Sequence, residues 1–209
     1  MKKLNHTMIW TTVLCLLPMF AGLLLWDKLP ERMPTHWNFA GEIDDYSSRA
    51  MAVLGLPFFM ALMNLFLHFM LNKDPKAANM PRILKQISYW SLPTLTIFLM
   101  GITYLVVLGV AVRVQVLVPL LCGGLFIAMG NYLPKCRQNY TMGIKTPWTL
   151  NSEENWNRTH RIGGYCFTIG GVLLLLCALP GLWWLLIPAI ILSGVIPMAY
   201  SYILYRRGI

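Results

Sequence analysis

Charge is what this sequence has least of. Only 12% of its 209 residues are charged while 57% are hydrophobic, and a soluble domain carries roughly a quarter charged residues. So few ionised groups cannot cover a water-exposed surface, which excludes an ordinary soluble fold. Catalytic signatures are missing as well. There is no HExxH, no GxSxG and no acidic residue inside any long apolar run. A membrane-embedded hydrolase or lipid-modifying enzyme is therefore poorly supported, since it needs a nucleophile and base or a metal cluster at membrane depth. The five cysteines stand at 15, 122, 136, 166 and 177, none in a CxxC pair, so neither a disulfide framework nor a zinc site is indicated. Low-complexity segments and a convincing internal repeat are also absent.

What fills the chain is a series of apolar runs, each long enough to cross a hydrocarbon core of about 30 Å. They cover residues 8–26, 50–71, 88–112, 114–133, 162–179 and 183–204. The first follows Lys2 and Lys3 like a secretory signal, but it is too long for one, and Ala21-Gly22 leads into more leucines rather than a cleavage site. It reads as a retained helix. The third and fourth runs are parted only by Arg113 and Gln115. A single helix over 88–133 would strand a charge in mid-membrane at a cost of a few kcal/mol, so a tight hairpin is expected there. The expected fold class is all-α: a polytopic transmembrane bundle of six helices.

The net charge of +9 marks topology rather than a nucleic-acid surface. Thirteen of the 17 Lys and Arg fall in one set of alternate loops and termini, and the other set holds Lys28, Arg32, Arg49 and Arg113 together with five of the eight acids. The positive-inside rule then places both termini in the cytoplasm. Two modules are expected. Residues 1–71 hold two helices and an outer loop, 27–49, and residues 72–209 hold four helices and an inner loop, 134–161. Glycines at 163, 164, 170 and 171 recur at seven-residue intervals and mark one stripe for close helix packing in the fifth span, and those at 123, 124 and 130 repeat this in the fourth. Asn64 and His68, one turn apart in the second span, are expected to cross-link helices.

The outer loop contains His36, Trp37, Asn38, Phe39, Gly41, Asp44, Asp45 and Tyr46 behind Pro30 and Pro34. Prolines hold backbone extended, Gly41 permits a turn, and the aromatic residues are interfacial anchors. An ordered cap against the membrane is expected. His36, Asp44 and Asp45 are too loosely spaced to specify a metal site, and a hydrogen-bonded cluster is the expectation. In the inner loop, Asn151 and Glu154 have capping-box spacing, opening a helix from Ser152 into the fifth span. Trp156 and His160 would then share one face, with Glu154 and Arg158 paired on another.

The inner loop also carries a resemblance. Asn131, Asn139, Gly143-Ile144, Lys145, Thr146-Pro147-Trp148-Thr149, then Trp156, His160 and Gly163-Gly164 resemble the signature of the SdpI family of bacterial membrane immunity proteins. Pro34-Thr35-His36-Trp37-Asn38, Gly41 and Asp44-Asp45-Tyr46 are similar to the small uncharacterised module preceding it in many members. The family usually has Arg where this chain has Lys145, and lysine lacks the bidentate fork. The resemblance implies a multi-pass protein of the bacterial cytoplasmic membrane that protects a Gram-positive cell against a secreted SdpC-type killing peptide. It further implies a receptor role, in which a cytoplasmic winged-helix autorepressor is held at the membrane. On this reading the outer-loop residues meet the toxin and the inner-loop residues meet the partner. No cofactor, no metal, no catalysis and no direct nucleic-acid contact are expected, and the oligomeric state is open. A small transporter is the alternative.

Overall fold

The computed structural model describes residues 6–38 and 40–209. Lys2, Lys3 and Phe39, which entered the topology and anchor readings, lie outside the described residues. Six helices are long and apolar enough to span a membrane: His6–Leu24, Met51–Lys73, Arg82–Val107, Val114–Lys135, Glu153–Leu176 and Trp183–Arg206. They contain the regular helices α1 (His6–Leu24), α2 (Leu56–Lys73), α3 (Arg82–Val107), α4 (Val114–Tyr132) and α6 (Glu153–Leu176). The last span is assembled from the short α7 (Leu186–Ile190), a π-turn at Ile191–Val195 and α8 (Ile196–Arg206), and α5 (Pro147–Asn151) precedes α6. Large apolar side chains such as Trp10, Phe20, Phe58, Phe66, Ile169 and Ile187 are exposed along the spans. That is the inverse of a soluble protein and the pattern lipid requires.

The third and fourth spans separate as expected, but the turn comes earlier than Arg113. Helix α3 ends at Val107, and Gly109 adopts φ +84°. The Gly109 amide reaches Val106 O at 3.1 Å and the Val110 amide reaches Leu105 O at 2.9 Å, the paired bonds of a Schellman stop.

The chain forms two compact units. The first comprises residues 1–70 and 86–114. Within it, Thr11 is a hub. Its hydroxyl donates to Thr7 O at 2.8 Å and accepts from Asn64 Nδ2 at 3.0 Å, with His68 Nε2 at 2.9 Å. His68 also stacks on Tyr89, with ring centroids 4.1 Å apart. Asn64 and His68 thus join α2 to α1, the cross-linking role their positions suggested. Nearby, the Tyr104 hydroxyl donates to Pro18 O at 2.8 Å, and only a glycine at position 22 leaves room for that ring.

The outer loop is a β-hairpin rather than a coil. Strand β1 (Arg32–Trp37) pairs antiparallel with β2 (Ile43–Ser48), with Arg32 opposite Ser48, Pro34 opposite Tyr46 and Trp37 opposite Ile43. Register shifts on either side of the His36–Asp45 pair leave Thr35 and Asp44 as extra residues, so each strand carries a bulge. The base is anchored by Leu29 and Met33, which are buried with Ala52, Val53, Met100 and Tyr104. Arg49 locks it further, donating to Trp26 O at 2.8 Å and Leu29 O at 2.9 Å while lying over the Trp26 ring.

The second unit comprises residues 71–85 and 115–209. Helix α6 is its centre and the most buried of the six spans. Its glycines form two adjacent faces rather than one stripe. Gly164 and Gly171 approach the backbone of Gly130 and Gly123 on α4, while Gly170 receives Ser193 and Gly163 lies against Ile144 and Leu133. Gly124, by contrast, faces open space.

Candidate functional site

Two assemblies hold the residues singled out above. In the hairpin, Asn38 shapes the turn. Its Oδ1 accepts from the Ala40 and Glu42 amides at 2.9 and 3.0 Å, and Gly41 takes φ +82°. The bulge at Asp44 aims its carboxylate at His36, whose Nδ1–H donates to Asp44 Oδ1 at 2.6 Å. Asp45 turns away and accepts the Tyr46 amide at 2.8 Å. Tyr46 is exposed, with Arg32 over its ring. His36, Asp44, Asp45 and Tyr46 all face solvent, and Trp37 and Asn38 are half-buried. Among the described residues no group of three potential metal ligands converges.

The second assembly is a cap built from residues 133–161 and the loop between α2 and α3. Asn139, fully buried, organises its first turn. It accepts the amides of Thr141 and Met142 at 3.0 and 2.7 Å and donates to Arg137 O at 2.9 Å. Gly143, at φ +108°, passes so close to the His160 and Trp156 rings that a side chain there would collide with both. His160 is pinned at both nitrogens. Nδ1–H donates to Trp156 O at 2.8 Å, and Nε2 accepts the Ile144 amide at 3.0 Å. These partners fix a neutral tautomer. The His160 and Trp156 rings stack at 3.9 Å, and the buried indole N–H donates to Cys136 O at 2.7 Å. The shared face of Trp156 and His160 therefore closes over the loop.

Thr146 caps α5. Its hydroxyl accepts the Thr149 amide at 3.2 Å while Thr149 Oγ1 accepts the Thr146 amide at 2.9 Å, with Pro147 in the first turn. This is a reciprocal capping box. The N-cap of α6 is Ser152, accepting from the Asn155 amide at 3.1 Å, and not Asn151, which ends α5. The Glu154–Arg158 pair forms at 2.6 Å as its spacing implied. Trp148 is half-exposed; its indole donates to Ser201 Oγ at 2.7 Å, and its ring stacks near Tyr205. Lys145 is exposed and folds back onto Thr141 O at 3.0 Å. Asn131 stays apart on the exposed face of α4.

Sequence reasoning missed the residues that brace this cap. Asp74 accepts the Tyr140 amide at 2.9 Å, the Thr141 hydroxyl at 2.7 Å and the Lys76 amide at 2.7 Å. Gln138 donates to Thr149 O and Leu150 O at 3.0 and 2.9 Å and accepts from Lys76 Nζ. Asn155 donates to Ser201 O at 3.0 Å. Asp74 had one visible signal: it is the sole acid in an otherwise basic loop. Burial pushes the Cys136 thiol above its ordinary pKa; the Asn139 bond opposes this, and the Asp74 charge adds to it. On the open side of the cap, Pro147, Trp148, Asn151, Ser152 and Tyr205 line a groove of about 530 Å³.

Chemically, the buried members of the cap (Asn139, Thr149, Trp156 and His160) are committed to partners within it. The surface they present consists of Trp148, Lys145 and the groove.

Residues 135–201 match the SdpI/YfhL protein family, and residues 13–61 match a domain of unknown function, DUF1648. Over 198 residues the chain is 24% identical to the immunity protein SdpI of Bacillus subtilis (strain 168), covering 93% of this chain and 94% of the relative. No solved structure matches. The six apolar spans and this end-to-end similarity make the protein a multi-pass cell-membrane protein, similar along its length to the immunity protein SdpI and matching the SdpI/YfhL protein family over the region that holds most of the cap.

Proposed function

We propose that this protein shields its cell from a secreted SdpC-type killing peptide without catalysing a reaction. The observation carrying this is the near full-length similarity to an immunity protein, joined to a cap whose framework is built from the motif residues themselves. In this reading both termini are cytoplasmic, as the loop charges favour. The 1–71 module offers the hairpin residues His36, Trp37, Asn38, Gly41, Asp44, Asp45 and Tyr46 to the peptide outside the cell. The 72–209 module turns the cap inward. There Trp148, Lys145 and the groove receive a winged-helix repressor, while Asn139, Gly143, Thr149, Trp156 and His160 hold that surface in shape. Peptide binding outside shifts the cap between two arrangements, which is the differential contact any such coupling requires.

The test is survival of a toxin-sensitive Gram-positive strain expressing the chain, challenged with the SdpC-type peptide beside an empty-vector control. Protection supports immunity. Loss of protection in His36→Ala, with membrane levels unchanged, supports the hairpin as the sensing face. Sensitivity equal to the control, with the protein present in the membrane, would sink the proposal.

A further inference from the structure

The hairpin is a two-stranded sheet whose outer strand is left open. Strand β1 is held at its base by the buried Met33 and Pro34, whereas Asp44, Asp45, Tyr46 and Ser48 of β2 are all exposed. An exposed edge is a template for another extended chain unless something blocks it. Proline is the usual block, and here it sits on β1 (Pro34), leaving β2 free of it. The orientation of the β2 amides follows from the register of the hairpin. The Arg49 amide points inward to Glu31 O at 2.8 Å. Antiparallel alternation then turns the Tyr46 amide outward, away from its ladder partner Pro34. The Tyr46 amide is instead satisfied by Asp45 Oδ1 at 2.8 Å.

The edge also has a charge. Between Asp27 and Arg49 lie five acids and three bases in a chain of net charge +9, and one of those bases, Arg49, is spent on the Trp26 and Leu29 carbonyls.

We infer that the outer edge of β2 is a docking strand for an extended, basic peptide segment, which adds as a third antiparallel or parallel strand with its Lys or Arg side chains on Asp44 and Asp45. An incoming carbonyl takes the Tyr46 amide. That releases the Asp45 carboxylate to a basic side chain of the peptide, so the self-made bond is exchanged for a backbone bond and an ion pair. Until then the two carboxylates repel acidic or like-charged edges, including that of a second copy. Backbone pairing supplies affinity and the carboxylates supply selectivity, as in other strand-addition complexes. The inference rests on the proposed role of the hairpin as the peptide-meeting face and specifies how that face would bind.

The test uses the full chain in lipid nanodiscs and fluorescence anisotropy of three labelled ten-residue probes: alternating lysine and valine, alternating glutamate and valine, and the lysine peptide N-methylated at every second residue. The lysine peptide should bind, and the glutamate peptide should bind at least tenfold more weakly. N-methylation should also cost at least tenfold, because it removes donors while keeping every charge. Tyr46→Pro should abolish binding without disturbing the hairpin, because this amide is not part of the β1 ladder. Asp44→Asn with Asp45→Asn should weaken binding at least tenfold while keeping the oxygen that caps the Tyr46 amide. Equal binding of the N-methylated and plain lysine peptides, or no binding of the lysine peptide, overturns strand docking. If the cell is nevertheless protected, immunity stands without this edge. Tight edge binding without protection removes the immunity role and leaves the edge.

Discussion

Adding one methyl group to α6 at Gly164 should destabilise the protein, while the same addition to α4 at Gly124 should not. An ideal Cβ at Gly164 would lie 2.5 Å from Pro134 Cγ, 2.8 Å from its Cδ and 2.9 Å from Gly130 O. Carbon pairs rest at about 3.5–4.0 Å, so the shortfall is about 1 Å, and two of the obstructing groups are a proline ring and a backbone carbonyl. Neither can rotate away. The α4–α6 separation must grow, and overpacking of this kind costs about 1–3 kcal/mol. Gly124 and Gly101 have nothing within 4 Å of a built Cβ. There alanine keeps only its helix-propensity advantage of about 0.5–1 kcal/mol. The signs are therefore opposite, and the two variants should differ by at least about 1.5 kcal/mol, roughly tenfold in the unfolding equilibrium. The assay is reversible unfolding in mixed micelles of a mild detergent and increasing SDS. Equal midpoints for Gly164→Ala and Gly124→Ala would show that the two faces of α6 do not set the helix spacing.

Other consequences are open to simpler measurements. Thr11→Val keeps the side-chain shape but removes the hydroxyl shared by Asn64 and His68; a loss of about 1–2 kcal/mol is expected in the same assay, and a neutral result would deny the cross-link any energetic role. Thr149→Ala removes the hydroxyl that accepts the Thr146 amide, one half of the α5 capping box, and leaves the Thr149 amide on the Thr146 hydroxyl; it should cost about 0.5–2 kcal/mol. It should also open residues 136–151 to protease in detergent, with Thr149→Ser restoring resistance; unchanged digestion would argue against the capping account. Maleimide should label Cys136 slowly at pH 8 in the folded protein, since burial disfavours the thiolate, and quickly after unfolding. Because the folded pKa is raised, the rate should begin to climb only above the ordinary thiol range. Fast labelling of the native chain would refute the buried placement.

The six spans were readable because hydrocarbon thickness sets a length that local composition must meet, with no need for knowledge of partners. The pairing of Glu154 with Arg158 was equally local. The hairpin was not readable. Its first strand includes Pro34, its apolar residues do not alternate, and bulges at Thr35 and Asp44 interrupt the period-two pattern on which strand reading depends. The shift of the α6 cap from Asn151 to Ser152 reflects a competing short helix, α5, that claims Asn151 first. Asp74 and Ser201 escaped because their partners lie 66 and 53 residues away in the chain; the lone negative charge marks Asp74 as unusual in its loop but does not name those partners. Among the candidate residues, exposure was not legible. Thr149 and Trp148 are neighbours, yet one is fully buried and the other lines an open groove.

The two glycine faces of α6 have a mechanical consequence. Each residue advances a helix by about 100° of rotation, so a turn of one position would swing Tyr165 or Val172, both large and now facing outward, into the space where Gly164 and Gly171 meet the α4 backbone. A turn the other way would swing Ile162 and Ile169 into the space of Gly163 and Gly170, so spin about the helix axis is blocked in both senses, as with a keyed shaft. The same unbroken helix carries Asn155, Trp156 and His160 at its other end, so any displacement the cap passes to the membrane-spanning part of its own unit must travel as a slide or a tilt of α6, never as a twist.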